Sequence, residues 1–177
     1  MALFRARLPQ EAADYASAAL PRVLATAYRL TGNRSDAEDL AHDTLTTVLA
    51  KWERVRQADS VDAYVRTMLV NRFLSMKRHS SHEVVSLAPL DPRRVAPSSL
   101  DDWNPDHDTM WAMLAKLPAR QRAVLVLRYY EDLPDDTIAA ILGCAPATVR
   151  SLAFRALGAL RLSASDELTW ERIGQAH

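Results

Sequence analysis

Apolar and polar positions recur with a helical period along most of the chain, and the pattern breaks once, near the middle. Over residues 11–31, Leu20, Val23, Leu24, Ala27, Tyr28 and Thr31 fall on one face. The stretch reads as a helix over 11–31, with Pro21 its weak point and an alternative start. Thr31-Gly32-Asn33 reads as a turn. Ser35 then caps a second helix, and Glu38, three residues on, completes a capping box. The apolar face of that helix runs through Ala37, Leu40, Ala41, Leu45, Val48, Leu49 and Trp52. Residues 57–60 read as a loop. A third helix follows over 61–79, turning Val61, Tyr64 or Val65, Met68, Leu69, Phe73 and Met76 inward. Phe73 and Trp52 are expected in the core.

From 80 to 107 the periodicity fails, and Pro89, Pro92, Pro97 and Pro105 fall among serines. This is a linker that reaches at most ~95 Å fully extended, and roughly 29 Å as a flexible coil. The pattern resumes near Asp108. A short helix over 110–117 stops before Pro118, and a second runs over 119–131. Val124, Leu125, Val126 and Leu127 are an unbroken apolar run there, so its middle is buried on most sides. Residues 135–161, DDTIAAILGCAPATVRSLAFRALGALR, then read as a helix-turn-helix. Gly143 ends the first helix, since glycine takes positive φ freely. Pro146 suits the first position of the next, where its missing N–H costs nothing. Val149, Leu152, Ala156 and Leu160 face inward, leaving Arg150, Ser151, Phe154, Arg155 and Arg161 outside. Residues 163–177 form a tail with a helical turn around Leu168, Trp170 and Ile173. The expected fold is all-α, with two small helical domains (1–79 and 108–162) joined by a flexible linker, the second a helix-turn-helix domain.

Charge changes the picture. Net charge is zero, from 22 basic and 22 acidic residues, which by itself argues against a nucleic-acid binder. The charges are segregated, however. Residues 66–79 carry Arg66, Arg72, Lys77 and Arg78 with no acid, and 35–43 carry Asp36, Glu38, Asp39 and Asp43 with no Lys or Arg. Residues 144–162 hold three arginines and no acid. Two basic surfaces, one per domain, suit a protein touching one DNA at two separated places. Cys144 is the only cysteine, which excludes an intramolecular disulfide and fits a reducing cytoplasm. No signal peptide and no membrane-spanning apolar run are evident.

Catalysis finds little support. Asp36, Asp39 and Asp43 share a helix face that can hold a divalent cation in principle. A helix N-terminus that favours anions accounts for the first-turn acids without one. No nucleophile motif, Gly-rich phosphate loop or cysteine pair is present, and no cofactor is expected. Nucleic-acid chemistry fits better. Arg66, Arg72, Lys77 and Arg78 can neutralise phosphates, and Asn71 among them can bond a base edge.

On these residues the chain resembles an RNA polymerase sigma factor of the extracytoplasmic-function (ECF) group, of actinobacterial type. AYRLTGNRSDAEDLAHDTL is similar to the start of that family's first conserved domain, and DAYVRTMLVNRFLSMKR to its promoter-melting segment. LAKLPARQRAVLVLRYYEDLPDDTIAAILGCAPATVRSLAFRALGALR is similar to its second domain. The resemblance implies a cytoplasmic factor, without enzymatic activity, that binds core RNA polymerase and promoter DNA. Asp36, Glu38, Asp39, Leu40, Asp43 and Thr44 would bind polymerase. Arg66, Asn71, Arg72, Lys77 and Arg78 would recognise and open the −10 element. Thr148, Arg150, Ser151, Phe154 and Arg155 would read the −35 element, with Arg120, Arg122 and Arg128 as backbone contacts. An anti-sigma factor is a further partner that the resemblance implies. One departure stands out. At 145–147 the family's small polar cap is replaced by Ala-Pro-Ala; losing such a cap costs ~1 kcal/mol, partly offset by the proline.

Two other functions remain open on the residues alone. A stand-alone helix-turn-helix regulator would bind an operator tightly without polymerase. A metal-dependent enzyme would use the acidic cluster and lose its metal on Asp39→Ala.

Overall fold

The computed structural model describes residues 9–82 and 113–174, with side chains described over 9–78 and 113–162. The expected linker, and the Met110 end of the short helix before Pro118, lie outside these residues. Every element within them is helical. The first domain comprises α1 (Gln10–Thr31), α2 (Arg34–Ala50), a single turn α3 (Trp52–Val55) and α4 (Val61–His82). The second comprises α5 (Ala119–Leu125), which widens into a π-helical turn (Val126–Tyr130), then α6 (Asp135–Leu142) and α7 (Pro146–Gly174).

Several local expectations are corrected. Helix α1 is not one of them: it spans Gln10–Thr31, much as its period predicts, and passes through Pro21 unbroken. Pro21 and Ser17 are both exposed, so the carbonyl that proline leaves without a donor faces water. Helix α2 is capped by Asn33, not Ser35. The Asn33 side chain accepts from the Asp36 N–H at 2.8 Å, and Glu38 pairs instead with Arg34 at 2.7 Å. Trp52 opens its own helical turn, although it is buried as expected. Beyond Leu162 the tail is no separate turn: α7 continues unbroken to Gly174.

Helices α1 and α2 pack along each other, and α4 crosses both. The first domain's core is built on Leu30, Leu40, Val48, Val55, Val65, Leu69, Val70 and Phe73, all essentially inaccessible to solvent. In the second, Val124, Leu127, Ile138 and Val149 play that part. Ala153 is buried where Leu152 was expected, and Leu152 and Leu160 are half-buried. The two cores are continuous. Helix α4 contacts α5 and α6, and α1 contacts α5 and the π-helical turn.

Two turns depend on glycine. Gly32 ends α1 at φ 78°, its N–H donating to the Tyr28 carbonyl at 2.8 Å. Gly143 ends α6 at φ 60°. They differ in surroundings. A Cβ on Gly32 would lie 2.9 Å from the Ala115 Cβ, whereas one on Gly143 would meet nothing within 4 Å. Both substitutions to alanine strain the backbone, at about 1 kcal/mol each. Only Gly32→Ala also forces two packed segments apart, so it is expected to cost roughly 3 kcal/mol in all. Urea unfolding of Gly32→Ala and Gly143→Ala checks this; equal midpoints would contradict the close approach of α1 to residue 115.

Candidate nucleic-acid and polymerase interface

The helix-turn-helix is built as its residues require. Asp135 and Asp136 lie in the first turn of α6, where the helix dipole favours anions. Ile138, Ala139, Ile141 and Leu142 are buried, and their helix packs against α7, α4 and the π-helical turn. The turn closes with the Cys144 N–H on the Ala139 carbonyl at 3.0 Å. The Ala145 carbonyl accepts from Thr148 at 2.9 Å, and Pro146 leads α7. The outer face of α7 then presents Thr148, Arg150, Ser151, Phe154 and Arg155, all exposed. Phe154 is 80% exposed, which leaves a large apolar ring in solvent among polar neighbours. Ser151 is turned back, its hydroxyl donating to the Ala147 carbonyl at 3.0 Å.

The arginines grouped as backbone contacts separate into three situations. Arg120 is exposed and reaches the Leu142 carbonyl, at the C-terminal end of α6, at 2.8 Å. Arg128 makes paired bonds to both Asp135 oxygens at 2.6 and 2.7 Å, and Arg150 leans on the same carboxylate at 3.9 Å. Arg122 is corrected: no phosphate reaches it. It is 5% exposed, and its guanidinium donates to the carbonyls of Leu30 (2.7 Å), Thr31 (3.2 Å), Leu117 (3.1 Å) and Ala115. It also lies over the Phe73 ring at 5.8 Å. Burial pushes its pKa down from the usual guanidinium value. Sequence showed an arginine flanking an apolar run; that its helix faces the C-terminal carbonyls of α1 is a tertiary fact.

In the first domain the two segregated charge blocks meet. Arg72, on α4, donates to the Asp43 carbonyl at 3.2 Å and the Thr47 hydroxyl at 2.9 Å, with the Asp43 carboxylate at 3.5 Å. Lys77 lies 3.8 Å from Asp36. Arg78 is exposed and bonds Ser75, and Asn71 is exposed. Arg66 is drawn elsewhere, to Glu131 of the second domain at 2.7 Å. On α2, Glu38 and Asp39 face solvent, but Leu40 and Thr44 are corrected: both are fully buried, and the Thr44 hydroxyl bonds the Leu40 carbonyl at 2.7 Å. The apolar spacing already set Leu40 on the inward face, and Thr44 follows it one turn on. No group of metal-ligating side chains occurs among the described residues.

One feature had no clear sequence signal. Where the loop before α4 meets its first two turns, Ala58, Asp59, Ser60, Ala63, Tyr64, Thr67, Met68 and Asn71 line an open hollow of about 510 Å³. It offers an aromatic ring, an amide, hydroxyls and a thioether side by side. Behind it, Asp62 joins α4 to α1. It accepts from the Tyr15 hydroxyl at 2.8 Å and from Arg22, and burial with that bond pushes the Tyr15 phenol up to about 12. The Arg22 guanidinium in turn holds the Asp62 carboxyl below its ordinary value.

This is the architecture of a two-domain promoter-binding factor, and known proteins agree. Residues 16–83 match the family described as Sigma-70 region 2, and residues 107–160 match Sigma-70, region 4. The chain is 31% identical over 152 residues to the RNA polymerase sigma-E factor of Streptomyces coelicolor, covering 84% of this chain and 82% of that one. It is 34% identical over 148 residues to the ECF RNA polymerase sigma factor SigE of Mycolicibacterium smegmatis, covering 79% and 56%. Among solved structures, the sigma factor RpoE of Bartonella quintana, crystallised with the anti-sigma factor NepR, is 26% identical. It superposes with a TM-score of 0.63 over 86% of this chain and 96% of that one. The chain belongs to the RNA polymerase sigma factors of the ECF group.

The different settings of the arginines have a measurable consequence. A side chain that neutralises a phosphate adds about 0.9 to the slope of log binding constant against log salt. Arg120→Ala is therefore expected to lower that slope by about 0.9, and Arg122→Gln to leave it unchanged while lowering the melting temperature. Titration of promoter DNA over a salt series, with a thermal melt of each variant, checks both.

Proposed function

We propose that the chain binds core RNA polymerase in the cytoplasm through the exposed acids of α2, and reads a promoter at two places, catalysing nothing itself. The observation that carries this reading is the outward face of α7 in a helix-turn-helix, with Thr148, Arg150, Ser151 and Arg155 all exposed on the side that would enter a major groove. In such a groove an arginine reads guanine and a hydroxyl reads either base. Phe154 is placed to touch a thymine methyl. Arg120 and Arg128 flank that face as phosphate contacts, Arg128 exchanging Asp135 for DNA. The domain division follows: residues 1–79 engage polymerase and the −10 element, 108–162 engage the −35 element, and 80–107 connect them.

The hollow beside Tyr64 and Asn71 gives the first domain its part. An unpaired base needs an aromatic surface to stack on and a polar group for its edge. Tyr64 and Asn71 supply these, while Arg72, Lys77 and Arg78 follow the strand along α4. The ion pairs to Asp43 and Asp36 hold Arg72 and Lys77 in place for phosphates instead of leaving them extended in water. An anti-sigma partner is part of the same reading, since the Bartonella neighbour was crystallised with one.

The deciding experiment is transcription in vitro with core polymerase and a genomic promoter pool. Promoter-specific products are expected, and their absence would overturn the reading. Arg150→Ala is expected to weaken binding to −35 DNA by about 1–3 kcal/mol with core binding unchanged. Equal promoter affinity in variant and parent would refute that role. Asp39→Arg is expected to weaken capture of core polymerase several-fold; a pull-down with undiminished yield would remove Asp39 from the interface.

A further inference from the structure

We propose that Asp135 is a positioning residue for base reading: its carboxylate passes from Arg128 to Arg150 when the second domain seats on DNA, so that gripping a phosphate and reading a guanine become one event. Three elements meet at this side chain. Arg128 stands on the π-helical turn, Asp135 in the first turn of α6 and Arg150 in the second turn of α7. The backbone between the first two is fixed. The Leu133 N–H donates to the Leu127 carbonyl at 3.0 Å, and the Ile138 N–H to the Pro134 carbonyl at 3.1 Å. Arg128 bridges both carboxylate oxygens with one nitrogen, Nη2, at 2.6 and 2.7 Å. Arg150 Nη1 stands 3.9 Å from Oδ2. That is close enough for attraction and too far for a hydrogen bond. The side chains are 18% exposed for Asp135, 29% for Arg128 and 62% for Arg150. The carboxylate is therefore the fixed point, and Arg150 is the partner with room to move.

In the free protein Arg128 holds the shorter bonds. A phosphate beside Arg128 draws it away, because phosphate oxygens satisfy guanidinium donors as well as a carboxylate does. Asp135 is then part-buried with a charge that needs a partner, and Arg150, already 3.9 Å away, closes on it. A guanidinium carries five donors in a planar fork, so Arg150 can meet Asp135 along one edge and turn the other to the groove. Reading guanine means bonding O6 and N7 together, which requires that plane to be held in one orientation. An exposed arginine samples many rotamers, and holding it beforehand removes part of the entropic cost of the contact. The same carboxylate repels phosphates. The two arginines therefore grip DNA of any sequence less well than their charges alone allow. Asp135 thus favours discrimination over general affinity. The handover rests on the reading of Arg150 as a −35 residue and of Arg128 as a phosphate contact.

The test uses the full chain bound to core polymerase, on a promoter recovered from the genomic pool. Each guanine of the −35 duplex is replaced in turn by 7-deazaguanine, which lacks the N7 acceptor. The parent is expected to lose about 10-fold in affinity at one guanine, and Arg150→Ala to abolish that penalty. Asp135→Asn is expected to shrink the penalty to about 2-fold, while binding a non-promoter duplex several-fold tighter than the parent. Asp135→Glu is expected to restore the parental penalty. Arg128→Gln is expected to lower affinity for both duplexes yet keep the penalty, since the carboxylate is then open to Arg150. A role in folding alone predicts that Asp135→Asn weakens both duplexes alike, and that result would overturn the handover. So would a parental penalty in Asp135→Asn, or loss of the penalty in Arg128→Gln. If Asp135→Asn loses helical signal by circular dichroism, Asp135→Ser, which suits a first helical turn, decides by the same outcomes. A penalty seen at no guanine, or one that persists in Arg150→Ala, overturns the reading of Arg150 itself and the handover with it.

Discussion

The structure depends on one buried cation that has no carboxylate beside it. Taking a guanidinium out of water costs several kcal/mol unless its donors are matched. Both terminal nitrogens of Arg122 are matched by main-chain carbonyls, from the end of α1 and from the segment just before Pro118, while its Nε is buried without a partner. The last carbonyls of a helix have no partner within it and carry its negative dipole, so they suit a cation. Gly32 must then turn the chain sharply at that point, and residue 115 must come close to it. Arg122 thus joins the end of α1, at the turn before α2, to the segment leading into the second domain.

A second constraint is charge pairing at a distance in sequence. A chain of zero net charge can bind a polyanion only if its acids are kept from the basic surface. Here they are partly brought to it. Asp43 and Asp36 sit against Arg72 and Lys77, and Asp135 against Arg128 and Arg150. The more exposed of these, Arg72 with Asp43 and Lys77 with Asp36, contribute little to stability, whereas Arg128 and Asp135 are part-buried and doubly bonded. Their effect is on posture, since each acid narrows the rotamers of a long side chain.

Much of this was legible in the chain. The helical period located α2, α4 and the helix-turn-helix, because each buries one continuous apolar face. Gly143 and Pro146 marked their turn for local steric reasons. The misreadings share a cause. Ser35-x-x-Glu38 satisfies a capping rule, but Asn33 reaches the Asp36 N–H first. Pro21 is only a weak point in the period of α1, and the helix continues through it with the orphaned carbonyl facing water. Leu40 and Thr44 carried a family role, yet their spacing from Ala37 and Val48 places them inside. Arg66, Arg122 and Glu131 depend on how the two domains meet, and no periodicity within one helix encodes that.

Helix α7 is one uninterrupted element of 29 residues from Pro146 to Gly174. At 1.5 Å per residue it is about 44 Å long, close to twice the length that the groove-reading segment needs. A helix of that kind acts as a rigid lever whose fulcrum is the packed stretch around Val149, Ala153 and Ala156. A displacement at its far end would tilt the reading face, because Arg150 and Arg155 lie on the same helix.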